Sequence, residues 1–518
     1  MQNEHPSTDR RKLSWLKIAL YSGVAAGAVV IIAMLAILLF PNPFLNTFIK
    51  PKITKAFAKA YPAYSMRLSD MDYSISENRF GIDSVSVSAV DSTFSGTIGP
   101  VSVSGVGWMP LLWGGTLAPK DFANSVVNAH SVMVNFPKSH YEFRCKKLRV
   151  SVPDSVLMAD SLVMKSLQSH AELRCPRLRM SVPDSVLVAD SLVMNFPESH
   201  YVFRCQKLRM SVPDSVLVAD SLVLGTLAGD DEFFGSSDFR RTRFSFESPQ
   251  CSMMGLSCLD LLKGKMYRTR SVHIPDMHLD ILVNKEKPAM KDTSVTLMPN
   301  EILSSMKQTI QCDSINIGNA SLKYGERMAA GSFPAVITFD SMRVLVEGIA
   351  NHGDSNAVAV IHAKGDFMKS GTVNFLMSMP VASPEFSFKY SGSVSRMDLR
   401  MLNKFLERAE QIRIKSGVLQ GATFEITVVS GRARGYVRAV YRDLILAAIN
   451  KNTGSDRGFF NNMISFIANT FKIRGTNVPD KSDPLKTGRV KYTRQPDDPF
   501  FRFVWFALRS GLKDVAGF

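Results

Sequence analysis

Two hydrophobic patterns organise this chain, and the first is an apolar run from Ile18 to Phe40 that contains no charged residue. A run of this length spans a bilayer as a helix. It is longer than the apolar core of a signal peptide and no small-residue cleavage site follows it, so we expect a retained anchor over 15–40. The basic cluster at 10–12 predicts a cytoplasmic tail over 1–14 and places the remaining residues across the membrane.

The second pattern is an alternation of apolar and polar residues, which predicts β-strands. It is clearest in a 30-residue repeat between 131 and 220. In the first copy, an alternating segment at 148–152 is followed by a Pro-Asp-Ser turn and by a second apolar segment at 156–164. Two strands per repeat would lengthen a sheet by about 10 Å. Repetition of this kind is typical of an extended architecture that grows by stacking.

One face of these strands is apolar, and that face has two interpretations. It is either closed inside a sandwich core, or it lines a groove that holds acyl chains, a role that methionine side chains suit. In the second segment of the repeat, the spacing predicts that Val156, Met158, Leu162 and Met164 share one face, interrupted at Asp160-Ser161. The candidate lining residues are the apolar positions of the first segment in each copy: Leu148, Val150, Val152, Leu178, Met180, Val182, Leu208, Met210 and Val212.

Strand-like segments with Gly, Asp and Ser turns continue to about 448, with few helices. Short helices are expected at 256–262, 301–307 and 397–411, and a loop is expected at 229–237. The amphipathic segments 459–471 and 499–518 either lie in a membrane interface or pack over the open end of the sheet. The predicted regions after the anchor are a juxtamembrane helix (41–62), a β-groove with the repeats (63–228), a central β-rich region (229–380), a closing β module (381–450) and a C-terminal helical region (451–518).

The 518 residues carry a net charge of +16, which favours an anionic partner. For an extracytoplasmic protein that partner is expected to be lipid headgroups, not nucleic acid, unless the basic residues only decorate solvated faces. Six cysteines are present without a Cys-Xaa-Xaa-Cys motif, which argues against a zinc ribbon and a thioredoxin-like site. Cys251 and Cys258 either form a local disulfide or remain free. The repeat cysteines 145, 175 and 205 are expected to be small buried side chains.

Catalytic motifs of the common hydrolases and nucleotide-binding proteins are missing from the sequence. Two sets of repeated polar residues lie beside turns, which accounts for them without a metal or acid–base role. A polysaccharide-acting enzyme would need such carboxylates clustered in a cleft. We therefore predict a non-enzymatic protein without a cofactor or a metal. The two sets are His140, His170 and His200, and Asp154, Asp184 and Asp214.

The two ends of the chain carry further motifs. The anchor and juxtamembrane helix lead into IDSVSVSAVDSTFSGTIGPVSVSG at 82–105, and the segment 386–449 contains a Ser-Gly-Xaa-Leu turn at 416–419. A Gly-Xaa-Ala-Xaa-Gly strand at 431–435 and a Tyr-Xaa-Asp-Leu strand at 441–444 follow. In these features the chain resembles the AsmA-like family, which comprises inner-membrane-anchored relatives of bridge-like lipid transfer proteins. The aromatic C-terminal segment RFVWFALRSGLKDV is also similar to that family.

The resemblance implies a fold and a function. The expected fold is mostly β: an N-terminal transmembrane helix, then an elongated, twisted β-groove of stacked antiparallel strands with few short helices and C-terminal amphipathic helices. The expected location is the inner membrane of a Gram-negative cell, with a single span, a cytoplasmic N-terminus and the bulk in the periplasm. The expected role is the handling or transfer of phospholipid between the inner and outer membranes, in support of envelope homeostasis. The alternative is a non-enzymatic scaffold that helps to assemble outer-membrane proteins.

Overall fold

A computed structural model of the chain is mostly β, as the alternation predicts. The structure describes residues 29, 40–107, 119–262, 264, 266–289, 297–352, 358–448, 474–479, 485–496 and 498–517. These residues contribute 24 strands to a mixed sheet, with few short helices. The chain divides into two compact units, which are described separately below: unit 1 comprises 1–168 and 174–183, and unit 2 comprises 169–173 and 184–518.

The predicted membrane anchor and the segment 459–471 lie outside the described residues, apart from Val29 and Phe40 of the anchor. Among the residues that are described, no helix has both the length and the apolar character that a membrane span requires.

Unit 1 begins with the predicted juxtamembrane helix, which forms as helix α1 (Pro41–Phe44), a π-helical turn (Leu45–Ile49) and helix α2 (Lys50–Ala60). Two asparagine side chains attach this helix to the first strands. Asn42 Oδ1 accepts from the Tyr73 backbone N–H at 2.9 Å, and Asn46 Oδ1 accepts from the Met71 N–H at the same distance. The strands of this unit are β1 (Tyr64–Leu68), β2 (Met71–Ser74), β3 (Arg79–Ile82), β4 (Val85–Ala89), β5 (Ser95–Ile98), β6 (Val101–Ser104), β7 (Val126–Phe136), β8 (Tyr141–Ser151), β9 (Val156–Ser166) and β10 (Glu172–Ser181, at the boundary).

Unit 2 is a succession of strands in which nearly every neighbouring pair is antiparallel. The pair β15–β16 is parallel, and the connection between its strands contains a helix, as a parallel crossover requires. The strands are β11 (Val186–Phe196), β12 (Tyr201–Ser211), β13 (Val216–Thr226), β14 (Thr242–Met254), β15 (Met266–Asn284), β16 (Thr309–Arg327), β17 (Ala335–Ala350), β18 (Ala359–Phe367), β19 (Gly371–Met379), β20 (Phe388–Val394), β21 (Met397–Asp398), β22 (Ile412–Val429), β23 (Arg432–Ala448) and β24 (Thr487–Thr493).

The helices of unit 2 are short except for the last. They are α3 (Asp230–Gly235), α4 (Cys258–Leu262), α5 (Pro299–Ser305), α6 (Asn403–Ala409) and α7 (Phe500–Ala516). Three of them match helices expected from the sequence at 256–262, 301–307 and 397–411. Strand pairing continues across the predicted region boundaries at 228 and 380, because β13 pairs with β14 and β19 pairs with β20. The division into these regions stays a prediction.

The segment 229–237 is a helix where the sequence predicted a loop. Its two phenylalanines, Phe233 and Phe234, are 1% and 2% exposed and pack against Leu282. The guanidinium groups of Arg241 and Arg327 lie over their rings, at 4.4 and 4.7 Å. The loop expectation was wrong because the acidic residues 230–232 occupy the first turn of a helix, where negative charge is favourable.

A serine in the left-handed conformation reverses the alternation in the middle of the second strand of each repeat. Ser161 has φ 54°, and Ser191 and Ser221 repeat it at 53° and 52°. Across the reversal, Ala159 and Leu162 pack in the same cluster. Met158 instead pairs with Arg149, so Val156 and Met158 lie on the opposite face from Leu162 and Met164, against the prediction.

The C-terminal helix α7 packs on the apolar face of the last strands. Phe503, Ala507 and Val515 are at most 1% exposed and belong to one core with Val437 and Val490. These contacts match the second interpretation of 499–518, packing over the sheet. The outward side chain of Phe501 is 76% exposed.

The segment 416–419 was expected to be a turn, but it lies inside β22, where the pairing with β23 shifts register. The Ser416 hydroxyl donates to the Asp443 carbonyl at 2.6 Å, and Asp443 has φ 55°. The sharp local geometry that glycine signals is therefore a β-bulge instead of a chain reversal.

Candidate functional site: an apolar row across the sheet

One line of apolar side chains crosses unit 2 in continuous register. Each member is the direct partner of the next, so the line runs from β11 to β24 and omits only the two-residue β21. Adjacent strands lie about 4.8 Å apart, which makes the line roughly 58 Å long. We call it the apolar row: Leu187, Met210, Leu217, Met253, Val272, Ile315, Val346, Ile361, Met377, Tyr390, Ile426, Gly435 and Val490.

The row exists because register is kept across all of these strands. The next position along each strand points to the other face of the sheet and is mostly polar, as in Asn316 beside Ile315 and His362 beside Ile361. A slip of one residue in any pair would bring a polar side chain into the row. The hydrogen-bond ladder, not one pocket, therefore builds this surface.

Exposure differs between the C-terminal end of the row and its middle. Toward the C-terminus, Tyr390 and Ile426 are 2% and 0% exposed in the core that helix α7 covers. The Tyr390 hydroxyl donates to the Val504 carbonyl of that helix at 3.0 Å, and burial raises the pKa of this phenol. In the middle of the row, Ile315, Val346 and Ile361 remain partly exposed. The middle of the row thus offers apolar surface to a ligand.

Unit 1 carries two shorter lines of the same kind. One line joins Tyr73, Phe80, Val103, Val127, Val150 and Leu157 in direct register. The other joins Met71, Ile82, Val101, Ala129, Leu148 and Ala159. Ala129 and Ala159 are 5% and 3% exposed, while Leu148 packs against them from a partly exposed position.

The nine residues predicted to line a groove occupy three environments. Leu148 and Val150 lie in the lines of unit 1, Leu178 packs on the same cluster, and Leu208 packs on the cluster around Cys205. Met210 belongs to the apolar row but is 4% exposed, because Leu256 and Cys258 cover it together with Val212. Val152 and Val182 follow the strand ends and are 42% and 58% exposed, and Met180, near the end of β10, is 38% exposed.

Several row residues outside the repeats were missed. Val272, Ile315, Val346 and Ile361 lie in strands that the alternation had identified in part, as at 312–324 and 339–349. The signal that would have found them is the alternation of apolar residues within each strand, aligned from one strand to the next by the pairing register. Bulges at 317–322 and 340–343 interrupt that alternation in the sequence, so it emerges only once the pairing is known.

All six cysteines are buried and free, including Cys251 and Cys258. At the parity reversal, the thiol of Cys205 donates to the Lys207 carbonyl at 3.3 Å, and Cys145 donates to the Lys147 carbonyl at 3.2 Å. Ser248 makes the equivalent bond in β14, at 2.8 Å. Desolvation raises the pKa of Cys145, Cys205, Cys251, Cys258 and Cys312, so these thiols stay protonated and unreactive near neutral pH.

The repeated aspartates and histidines occupy turns. The Asp154 carboxylate accepts from the Ser151 hydroxyl at 2.7 Å, and Asp214 repeats the contact with Ser211 at 2.6 Å. His140, His170 and His200 have φ between 53° and 62°. Within the described part of the chain, His, Cys, Asp and Glu side chains form no cluster of three with the arrangement of a metal site.

Comparison with known proteins adds no relative to this picture. No protein-family model matches the chain, and no curated protein matches it.

Proposed function

We propose that this protein binds the acyl chains of phospholipids along its apolar row and transfers lipid across the envelope. The single observation that carries the proposal is the continuous register of the row over roughly 58 Å. A bound acyl chain needs continuous apolar surface, which the partly exposed members of the row, Ile315, Val346 and Ile361, provide. The covered members, such as Met210 and Ile426, belong to packed clusters.

The partial exposure of the middle of the row supports the proposal. Burying apolar surface is favourable by about 0.8 kcal/mol per CH₂ group, so an acyl chain on the row would be held while its headgroup stays in water. The resemblance to AsmA-like proteins suggests the setting: a single inner-membrane span, a cytoplasmic N-terminus and a periplasmic β-groove. The partners would be phospholipids of the inner and outer membranes of a Gram-negative cell.

A photo-crosslinking experiment tests the proposal. Ile315 and Asn316 are consecutive in β16 but point to opposite faces of the sheet. A benzophenone side chain at position 315 in the full chain, irradiated in cells, should crosslink phospholipid. The same probe at position 316 is the matched control, because it changes the same strand and should give no lipid adduct.

Two outcomes would count against lipid binding. Lipid adducts of equal yield at 315 and 316 would indicate contact with bulk membrane instead of a bound chain. Adducts at 315 only to this chain or to other proteins would mean that protein covers the row. That second outcome would favour the scaffold function that the sequence left as the alternative.

A further inference from the structure

A concave polar surface occupies the other face of the same strands in unit 2. It encloses a volume of about 930 Å³ between β16 and β23. Its side chains stand one or three positions along each strand from the apolar row, so they point to the opposite face of the sheet. We call this surface the polar trough, and its lining includes Arg343, Lys364, Asn374, Leu376, Ser391, Ser393, Glu425 and Tyr436.

Two cations face each other at one end of the trough. Arg343 in β17 and Lys364 in β18 are direct cross-strand partners, and both are exposed. In the described part of the chain, neither forms an ion pair with a carboxylate. Like charges placed directly opposite destabilise a sheet, and an anion bound between them would relieve this. Asp340 and Asp366, the next direct partners along β17 and β18, offset part of the repulsion. A guanidinium beside an ammonium suits a carboxylate or phosphate group.

The carboxylate among the lining residues is Glu425, and it is already engaged. It accepts from the Tyr436 hydroxyl at 2.9 Å, and this contact raises the pKa of the phenol. Glu425 lies three strand spacings from Lys364, or about 14 Å. Glu425 is therefore too far from the two cations to form an ion pair with either of them.

The floor beyond the cations is built from small polar groups. Lys364 pairs with Asn374, and Asn374 pairs with Ser393, to whose hydroxyl its amide donates at 3.3 Å. Ser391 lies beside them, and the side chain of Leu376 is 40% exposed. Amides and hydroxyls match the hydroxyl groups of sugars, while an exposed leucine offers a surface for the C–H face of a sugar ring.

The position of the trough on a sheet face also argues against a peptide ligand. An extended peptide gains affinity by pairing its backbone with a free strand edge. Here the backbone groups of the floor are occupied by the ladder, so only side chains are available to a ligand. A ligand rich in hydroxyl groups uses such side chains better than a polypeptide does.

We propose that the polar trough binds an acidic oligosaccharide. Arg343 and Lys364 hold its anionic group, and Asn374, Ser391 and Ser393 bind sugar hydroxyls. The site is independent of lipid binding on the apolar row, because its side chains point to the opposite face.

Binding of a fluorescent hexagalacturonate to the full chain, measured by anisotropy, tests the proposal. The double variant R343Q/K364Q should bind at least about tenfold more weakly, because it removes both charge-assisted hydrogen-bond donors. The control R396Q/K404Q removes the same charge from exposed positions outside the trough and should bind as the wild type does. Maltohexaose, which is neutral, should bind much more weakly than hexagalacturonate.

Four results would overturn the proposal. The wild-type chain does not bind hexagalacturonate, or the control variant loses as much affinity as the trough variant. Hexaglutamate binds as tightly, which would assign the trough to acidic peptides. Inorganic phosphate alone competes as well as hexagalacturonate does, which would reduce the site to a simple anion site.

Discussion

Helix α7 crosses β24 at a contact between two glycines. A Cβ atom added to Gly488 would lie 2.0 Å from the backbone oxygen of Gly511 and 2.8 Å from a methyl carbon of Val515. Backbone cannot rotate away as a side chain can, so the helix must move off the sheet. The substitution Gly488→Ala is therefore a probe of how much the cover of the apolar face depends on this close approach.

The size of the effect follows from what the helix buries. Phe503, Ala507 and Val515 are at most 1% exposed under the helix. Full burial of a Phe or Val side chain stabilises by about 1.5–3 kcal/mol. A helix that is partly displaced from the sheet loses part of this stabilisation at each of these side chains. We expect a loss of about 3 kcal/mol in the local opening free energy of 500–516, or roughly a hundredfold faster hydrogen exchange.

Hydrogen exchange of the full chain, read by mass spectrometry on peptides from 500–516, measures this directly. Gly225→Ala is the matched control, because an added Cβ there meets nothing within 4 Å. The control should change local stability by no more than about 0.5–1 kcal/mol. Unchanged exchange in 500–516 for Gly488→Ala would refute the reasoning, as would an equal effect of both substitutions.

Two further predictions concern single contacts. Cys205→Ala removes the thiol that donates to the Lys207 carbonyl and should cost about 1 kcal/mol in thermal or denaturant unfolding, whereas Cys205→Ser keeps a donor, as Ser248 does naturally, and should cost less. The hydrogen bond from Arg494 lowers the pKa of Glu301, so the pair stabilises the fold above the ordinary carboxyl pKa, and this contribution is lost as the pH falls through the lower folded pKa. Glu301→Gln should therefore flatten the decline of stability in acid, which unfolding measured from about pH 7 to about pH 3 would reveal. Equal costs of the two Cys205 variants would contradict the first prediction. An equal decline of unfolding free energy with falling pH in the wild type and in Glu301→Gln would contradict the second.

Much of the fold follows from local sequence. Alternation identifies the repeat strands, and the Pro-Asp-Ser segment at 153–155 forms the predicted turn because the Asp154 side chain accepts from Ser151 within it. The parity reversal at Ser161 was not predictable in this way. Left-handed serine is uncommon, and the sequence 159–162 satisfies an uninterrupted strand equally well.

The candidate site depends on information that single segments do not contain. Leu217, Met253 and Ile315 lie far apart in the sequence, and only the pairing of their strands places them in one line. Their exposure likewise depends on which residues pack over the face, as Leu256 and Cys258 do beside Leu217, and that is a property of tertiary packing. The sequence could therefore indicate an apolar face, but not which part of it is open.

Lipid occupancy of the apolar row is the central claim, and native mass spectrometry of the full chain tests it most directly. The wild-type chain, released from detergent in the gas phase, should retain phospholipid. Ile315→Asp should lose it: if about three CH₂ groups contact this side chain, the loss is about 2.4 kcal/mol, or some fiftyfold in affinity. The neighbouring Asn316→Asp, on the other face, should retain lipid as the wild type does. A lipid-free wild-type chain, or equal retention by the wild type and Ile315→Asp, would contradict the account.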